Sequence, residues 1–313
     1  MSLGSRSIFF NTRYQLLGAL ILLCIVPFVV PNLWMLRIFI IANLFAIFAI
    51  SWNLLVGYTG QISFGHAFFF GGGAYASIIL NKYFSIPPPI AMAASGLMCA
   101  VAGIILGYPC LRVRGIYLAL MTWAFPLILG GIAMYFNEVF GGEMGISGYD
   151  GLSSSYNVNY YSSLMLLVAS VVLSLAIINS RYGLIIQSIR DNDILAESVG
   201  INIAKYKVLF FALSGSMAGI AGAFYAHFFK SMTPELLAVD MSILVIIMVI
   251  IGGLGSIMGP VVGAYIVTFL NNYLLYVPEL RMIIYAVVLI LILFFRPKGL
   301  LPWSPKVTFR SKA

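Results

Sequence analysis

The apolar positions of this chain lie in long blocks rather than in the two-residue alternation of a half-buried strand. Uncharged runs occupy residues 14–36, 38–81, 83–111, 115–137, 151–180, 208–229, 241–278 and 282–295. At about 1.5 Å per residue, about 20 apolar residues cross a bilayer core as a helix, so runs of that length predict transmembrane helices. The runs 38–81 and 241–278 must each hold more than one crossing or a re-entrant pair. Spans are placed at 14–31, 38–56, 64–80, 89–108, 116–136, 160–178, 208–229, 241–251, 256–276 and 278–295. The expected fold class is all-α, a polytopic membrane protein with about ten transmembrane segments. Leu16 to Val30, preceded by Arg6 and Arg13, mimics a signal peptide, but no small-x-small site follows in Val30-Pro31-Asn32-Leu33-Trp34, so it is expected to remain as the first span.

Two of the hairpins are broken by Gly-rich stretches. The first break is Gly57-Tyr58-Thr59-Gly60-Gln61-Ile62-Ser63-Phe64-Gly65-His66, and the second is Gly252-Gly253-Leu254-Gly255-Ser256-Ile257-Met258-Gly259-Pro260. Each is followed by Gly-Ala-Tyr, at Gly73-Ala74-Tyr75 and Gly263-Ala264-Tyr265. Irregular backbone survives inside a bilayer only where protein or a water-filled cavity satisfies it, so paired interruptions point to a substrate path. The path candidates are Asn53, Gly60, Gln61, Ser63, Gly65 and His66 with Gly252, Gly253, Gly255 and Ser256. The competing reading is close helix packing through small-xxx-small ridges, which is the one expected for Gly215 and Gly219 and is open for Gly255, Gly259 and Gly263. His66 taken alone is expected to make a structural hydrogen bond, and His227 carries still less.

Composition agrees with a membrane protein: 62% of the 313 residues are hydrophobic and only 8% are charged, against about 25% in soluble domains. The formal net charge of +8 is distributed by side. With both termini inside, Arg6, Arg13, Arg112, Arg114, Arg181, Arg190, Lys205, Lys207, Arg296, Lys298, Lys306, Arg310 and Lys312 fall inside, which is 13 of 17 basic residues. Arg37, Lys82, Lys230 and Arg281 fall outside with six of the nine acids, as the positive-inside rule demands. The charge therefore reports topology and inner-leaflet attraction, and no nucleic-acid partner is inferred. Cys24, Cys99 and Cys110 lie in or beside apolar runs and are read as packing residues.

Two polar segments have room for a task. Residues 137–159, rich in Gly, Ser, Asn and acid, are expected to form an external cap. Residues 179–207 are charged and helix-compatible, with acids near a helix start at Asn192 and a stop at Gly200, which predicts a short helix on the cytoplasmic face.

The chemistry of an enzyme or a self-driven pump is missing. No span centre holds Asp, Glu or Lys, which argues against proton coupling; sodium held by backbone carbonyls is less firmly excluded. No Gly-x4-Gly-Lys-Ser/Thr, His-Glu-x-x-His or Gly-x-Ser-x-Gly occurs, and no metal site or cofactor is expected. If transport is active, Arg190 to Gly200 is the place for an external motor to act.

Several motifs resemble the permease subunits of bacterial branched-chain amino acid ABC importers, the M-type subunit in particular. They are Trp52 to Ala67, Gly71 to Tyr75, Arg112 to Ala119, Gly141-Gly142 to Gly145-Ile146, Ser180 to Gly183, Arg190-Asp191-Asn192 to Asn202, Gly252 to Ser256, and Gly259-Pro260. The resemblance implies one permease domain over 1–313 in an inner membrane, paired with a second permease in a heterodimer. It also implies two cytoplasmic ATP-binding subunits and a periplasmic solute-binding protein. It further implies that Arg190, Asp191, Asn192, Ala196, Glu197 and Gly200 form the loop that docks on the ATPase, although the strict Glu-Ala-Ala form reads Ala-Glu-Ser here. The solute that the resemblance implies is a branched-chain or related amino acid, with urea or short-chain amides as alternatives inside the family and an ion-coupled secondary transporter as the alternative outside it. No buried acid or base is expected to hold a zwitterion, so broken-helix termini and backbone groups would do so.

Overall fold

The computed structural model describes residues 23–29, 32–274, 281–297 and 299–301. Of the expected span 14–31, residues 23–29 are helical and the rest lies outside the described residues, as do Arg6, Arg13, Glu279, Lys298, Lys306, Arg310 and Lys312. The long helices are α1 (Leu33–Thr59), α2 (His66–Phe84), α3 (Pro88–Cys110), α4 (Ile116–Tyr135) and α5 (Tyr156–Ile178). After them come α6 (Arg181–Asp191), α7 (Asp193–Ser198), α8 (Ile203–Phe229), α9 (Val239–Gly252), α10 (Met258–Tyr273) and α11 (Arg281–Phe295). Five helices, α1, α3, α4, α5 and α8, are long and apolar enough to cross a membrane, and α9 and α11 are shorter apolar helices. The protein is thus an all-α polytopic membrane protein.

Helix α1 is the hub. Every residue from Ala42 to Thr59 is buried, which is why no polar stripe runs along it. Its polar side chains each clamp a neighbour: the Asn43 amide donates to Ser163 of α5 at 3.0 Å and accepts from the Tyr265 hydroxyl of α10. Helices α2, α3 and α8 pack through small residues. A side-chain carbon on Gly96 would lie 2.6 Å from Ile220, and one on Gly215 2.8 Å from Phe69. Gly215 and Gly219 therefore act as packing residues, as their spacing predicts. In contrast, α3, α4, α5 and α11 turn large apolar side chains outward, among them Leu97, Ile105, Tyr117, Ile128, Met165 and Ile290, a surface suited to lipid.

Residues 137–159 fold onto the α2 and α8 ends. Strand β1 (Ile146–Ser147) pairs antiparallel with β2 (Ser231–Met232), Asn81 holds Asp150 through its backbone N–H at 2.9 Å, and the Tyr149 hydroxyl donates to the Ala226 carbonyl at 3.0 Å. Burial raises the Tyr149 pKa, so this phenol stays a donor throughout the physiological range.

Candidate functional site

Both Gly-rich breaks are hairpin turns, and the structure brings them together. The first turn joins α1 to α2, and the second joins α9 to α10. Helix α9 has 14 residues, about 21 Å, which is short of the ~30 Å hydrocarbon core. Its turn meets α1 at Asn53, six residues and about 9 Å before the α1 C-terminus, so the second turn is recessed relative to the first. Recessed backbone needs internal partners. The Asn53 side chain accepts from Gly255 N–H at 2.7 Å and donates to the Ser256 carbonyl at 2.7 Å. Ser256 Oγ accepts from Gly259 N–H at 2.8 Å. The chain beyond α11 returns to cap α9, with Leu300 N–H on the Ile251 carbonyl at 3.0 Å and Leu301 N–H on the Gly252 carbonyl at 2.9 Å. Gly252, Gly259 and Gly263 pack α9 and α10 backbone to backbone, which is the close-packing reading of this glycine series.

The first turn is held from three sides. Trp52 Nε1 donates to the Ser63 carbonyl at 2.8 Å, Phe64 N–H to Thr122 Oγ1 of α4 at 3.0 Å, and Ala67 N–H to Ser242 Oγ of α9 at 3.1 Å. His66 is fully buried, with Nε2 3.2 Å from Ser51 Oγ and 3.0 Å from Ser214 Oγ. Both hydroxyls already donate to backbone carbonyls, Phe48 and Ser51 respectively, so Nε2 carries the proton and His66 donates to them. This is the structural hydrogen bond that a lone histidine predicts, and it clips α1, α2 and α8 together.

The segment after α5 forms two helices where one was expected. Ser180 caps α6, whose Gly183, Ile186 and Ile189 are buried. Asn192 then breaks the helix and caps α7, its Oδ1 accepting from Leu195 N–H at 3.1 Å. Gly200 closes α7 with φ +84°: Ile201 N–H reaches the Ala196 carbonyl at 3.1 Å and Gly200 N–H the Glu197 carbonyl at 2.9 Å, a Schellman closure. Ala196 faces inward, while Ile194, Leu195 and Val199 are all more than 60% exposed. Arg190 Nη1 donates to the Gly57 carbonyl in the last turn of α1. A side-chain carbon on Gly57 would sit 3.0 Å from Gly255 N and 3.1 Å from Asn53 Cγ, so glycine here lets the second turn approach α1. One chain of contacts thus runs from α6 through Arg190, Gly57 and Asn53 to the second turn.

A polar cavity of about 880 Å³ opens between these parts. Arg190, Asp191, Asn192, Glu197 and Gly200 line it, and of the ten path candidates Gly60 and Gln61 do so. Asn53, Ser63, Gly65, His66, Gly252, Gly253, Gly255 and Ser256 lie outside its lining. Arg114 closes one side through an ion pair with Asp193 at 3.1 Å.

A family model described as "Branched-chain amino acid transport system / permease component" matches residues 34–293. The chain belongs to this permease family. It is 29% identical over 300 residues to the high-affinity branched-chain amino acid transport system permease protein LivM of Escherichia coli (strain K12), covering 86% of this chain and 71% of the relative. It is 25% identical to the probable branched-chain amino acid transport permease protein LivH of Methanocaldococcus jannaschii, over 76% of this chain and 79% of that one. It is also 26% identical to the ribose import permease protein RbsC of Escherichia coli (strain K12), over 82% and 84%. No solved structure is significantly similar to it.

The permease also carries features its sequence conceals. A second cavity of about 740 Å³ lies at the opposite ends of α1 and α8, lined by Arg37, Tyr225, Phe229, Glu235 and Asp240 among others. Arg37 and Asp240 are 203 positions apart, and only the packing of α9 beside α1 brings them to one cavity. Cys99 and Cys110 of the permease are buried and Cys24 half-buried, all three as free thiols. Among the described residues no group of three or more His, Cys, Asp or Glu side chains is placed to hold a metal ion.

Proposed function

We propose that the chain is the transmembrane permease subunit of an ATP-driven importer for branched-chain or related amino acids. In this reading residues 1–313 act as one permease domain in an inner membrane, beside a second, related permease. Two cytoplasmic ATP-binding subunits supply the energy, and a periplasmic binding protein delivers the solute. The coupling end, with α6 and α7, faces the cytoplasm. The placing of 13 of 17 basic residues on that side supports this orientation.

The observation that carries the proposal is the shape of α7. A short polar segment outside the spans exposes Ile194, Leu195 and Val199 beside Gly200, while its neighbour Arg190 grips the end of the central helix. Exposed apolar side chains on a charged segment suit a protein partner, and the partner's motion would pass through Arg190 to Gly57 and Asn53. Ion-coupled transport lacks a comparable carrier, since no acid or lysine lies at a span centre.

Gentle purification from the native membrane, with mass spectrometry of what remains bound, tests the assembly. Recovery of a second permease and two ATP-binding subunits is expected. A chain recovered alone and competent for ion-driven uptake in liposomes without ATP overturns it. The likeness to a ribose permease makes the solute a separate question, answered by uptake of labelled leucine against ribose, urea and a short-chain amide.

A further inference from the structure

The second cavity holds charges of both signs that do not use one another. Arg37 lies over the face of Phe229, with its guanidinium carbon 4.8 Å from the ring centroid. A guanidinium held in this way still carries several in-plane N–H donors, the set that takes a carboxylate in a two-point hydrogen bond. Among the described residues Arg37 forms no ion pair, and neither do Glu235 and Asp240, although all three line the same cavity. Glu235 stands in the turn after β2 and Asp240 in the first turn of α9. The rest of the lining combines apolar side chains, Ile38, Ile41 and Phe45 of α1 and Leu244 of α9, with the polar Asn271 and Asn272 of α10. The volume, about 740 Å³, falls in the range of small-molecule sites, about 300–1,000 Å³.

From this arrangement we infer that the cavity is a solute-receiving site for an α-amino acid zwitterion with an apolar side chain. The carboxylate meets the Arg37 guanidinium, the ammonium is drawn to Glu235 and Asp240, and the side chain packs on Ile38, Ile41, Phe45 and Leu244. A neutral sugar, urea or an amide offers Arg37 a hydrogen-bond acceptor but no negative charge, so the same charges favour the zwitterion over them. The site lies at the mouth opposite α6 and α7, where a delivered solute would first arrive. This inference rests on the amino acid import reading and adds the place and the charges that recognise the solute.

The test uses the assembled complex in proteoliposomes with its binding protein and ATP, reading leucine taken up per ATP hydrolysed. Arg37→Gln should lower that ratio about tenfold or more, the scale of a lost charge-assisted pair, and Arg37→Lys should restore part of it. The double variant Glu235→Gln/Asp240→Asn should lower it as well. Saturation-transfer NMR on the complex without binding protein gives a second reading. L-Leucine should receive saturation from the wild type and not from Arg37→Gln, while leucinamide, which lacks the carboxylate, should receive less than leucine from the wild type. Ratios equal to wild type in both variants overturn the site. Loss of binding-protein-stimulated hydrolysis in step with uptake also overturns it, because the charges would then serve protein docking. A wild-type complex that moves no amino acid removes the importer reading itself, a result separable from any variant effect.

Discussion

Asn53 explains why a buried amide sits in an otherwise apolar central helix. The recessed second turn presents the Gly255 N–H and the Ser256 carbonyl where no water is expected, and the one side chain satisfies both. Replacing it by Leu keeps the branched shape, removes both hydrogen bonds and puts bulkier methyl groups against the turn. Asn53→Leu should therefore cost about 1–3 kcal/mol in denaturant unfolding of the purified chain in detergent, from the orphaned groups. A loss within measurement error would show that the turn finds other partners. Asn53 was legible in the sequence as a polar residue beside a break, but its partner 202 positions away was not. Nothing in local periodicity records which backbone a side-chain amide will reach.

At the level of elements, the uncharged runs gave the helices and the glycine clusters gave the turns, because burial in lipid and freedom from side chains act locally. The α7 ends were legible for the same reason: Asn192 caps and Gly200 stops. What the pattern did not carry was the division of residues 179–207 into α6 and α7, or the grip of Arg190 on Gly57 across 133 positions. The open surroundings of Gly200 allow a sharp prediction, since no atom lies within 4 Å of where its side chain would begin. Gly200→Ala and Gly200→Trp both accept about 1 kcal/mol of left-handed strain, so both should fold. Only the Trp variant should obstruct a docked ATP-binding subunit and separate hydrolysis from uptake. Unchanged stimulation by the binding protein and unchanged uptake in the reconstituted Gly200→Trp complex would remove α7 from the coupling surface.

Across the whole molecule, α1 and α8 connect two cavities. Both helices have 27 residues, about 40 Å each, enough to pass the full hydrocarbon thickness. At one end the cavity is shared by α6, α7 and the first turn, and at the other it is rimmed by Arg37, Glu235 and Asp240. The recessed turn and Asn53 lie between them, against the continuously buried part of α1 from Ala42 to Thr59. For the two ends to communicate, motion at α6 must alter the packing of α1 against the second turn, and Arg190 is the described side chain that joins α6 to the α1 end by a hydrogen bond.

The most direct test is therefore the coupling ratio of the reconstituted importer carrying Arg190→Gln, which removes the charge while keeping a donor of shorter reach. Leucine moved per ATP hydrolysed should fall at least about tenfold, with thermal unfolding within about 1–2 kcal/mol of wild type, the scale of one charge-assisted hydrogen bond. A ratio equal to wild type in a stably assembled complex would contradict transmission through Arg190 and Gly57.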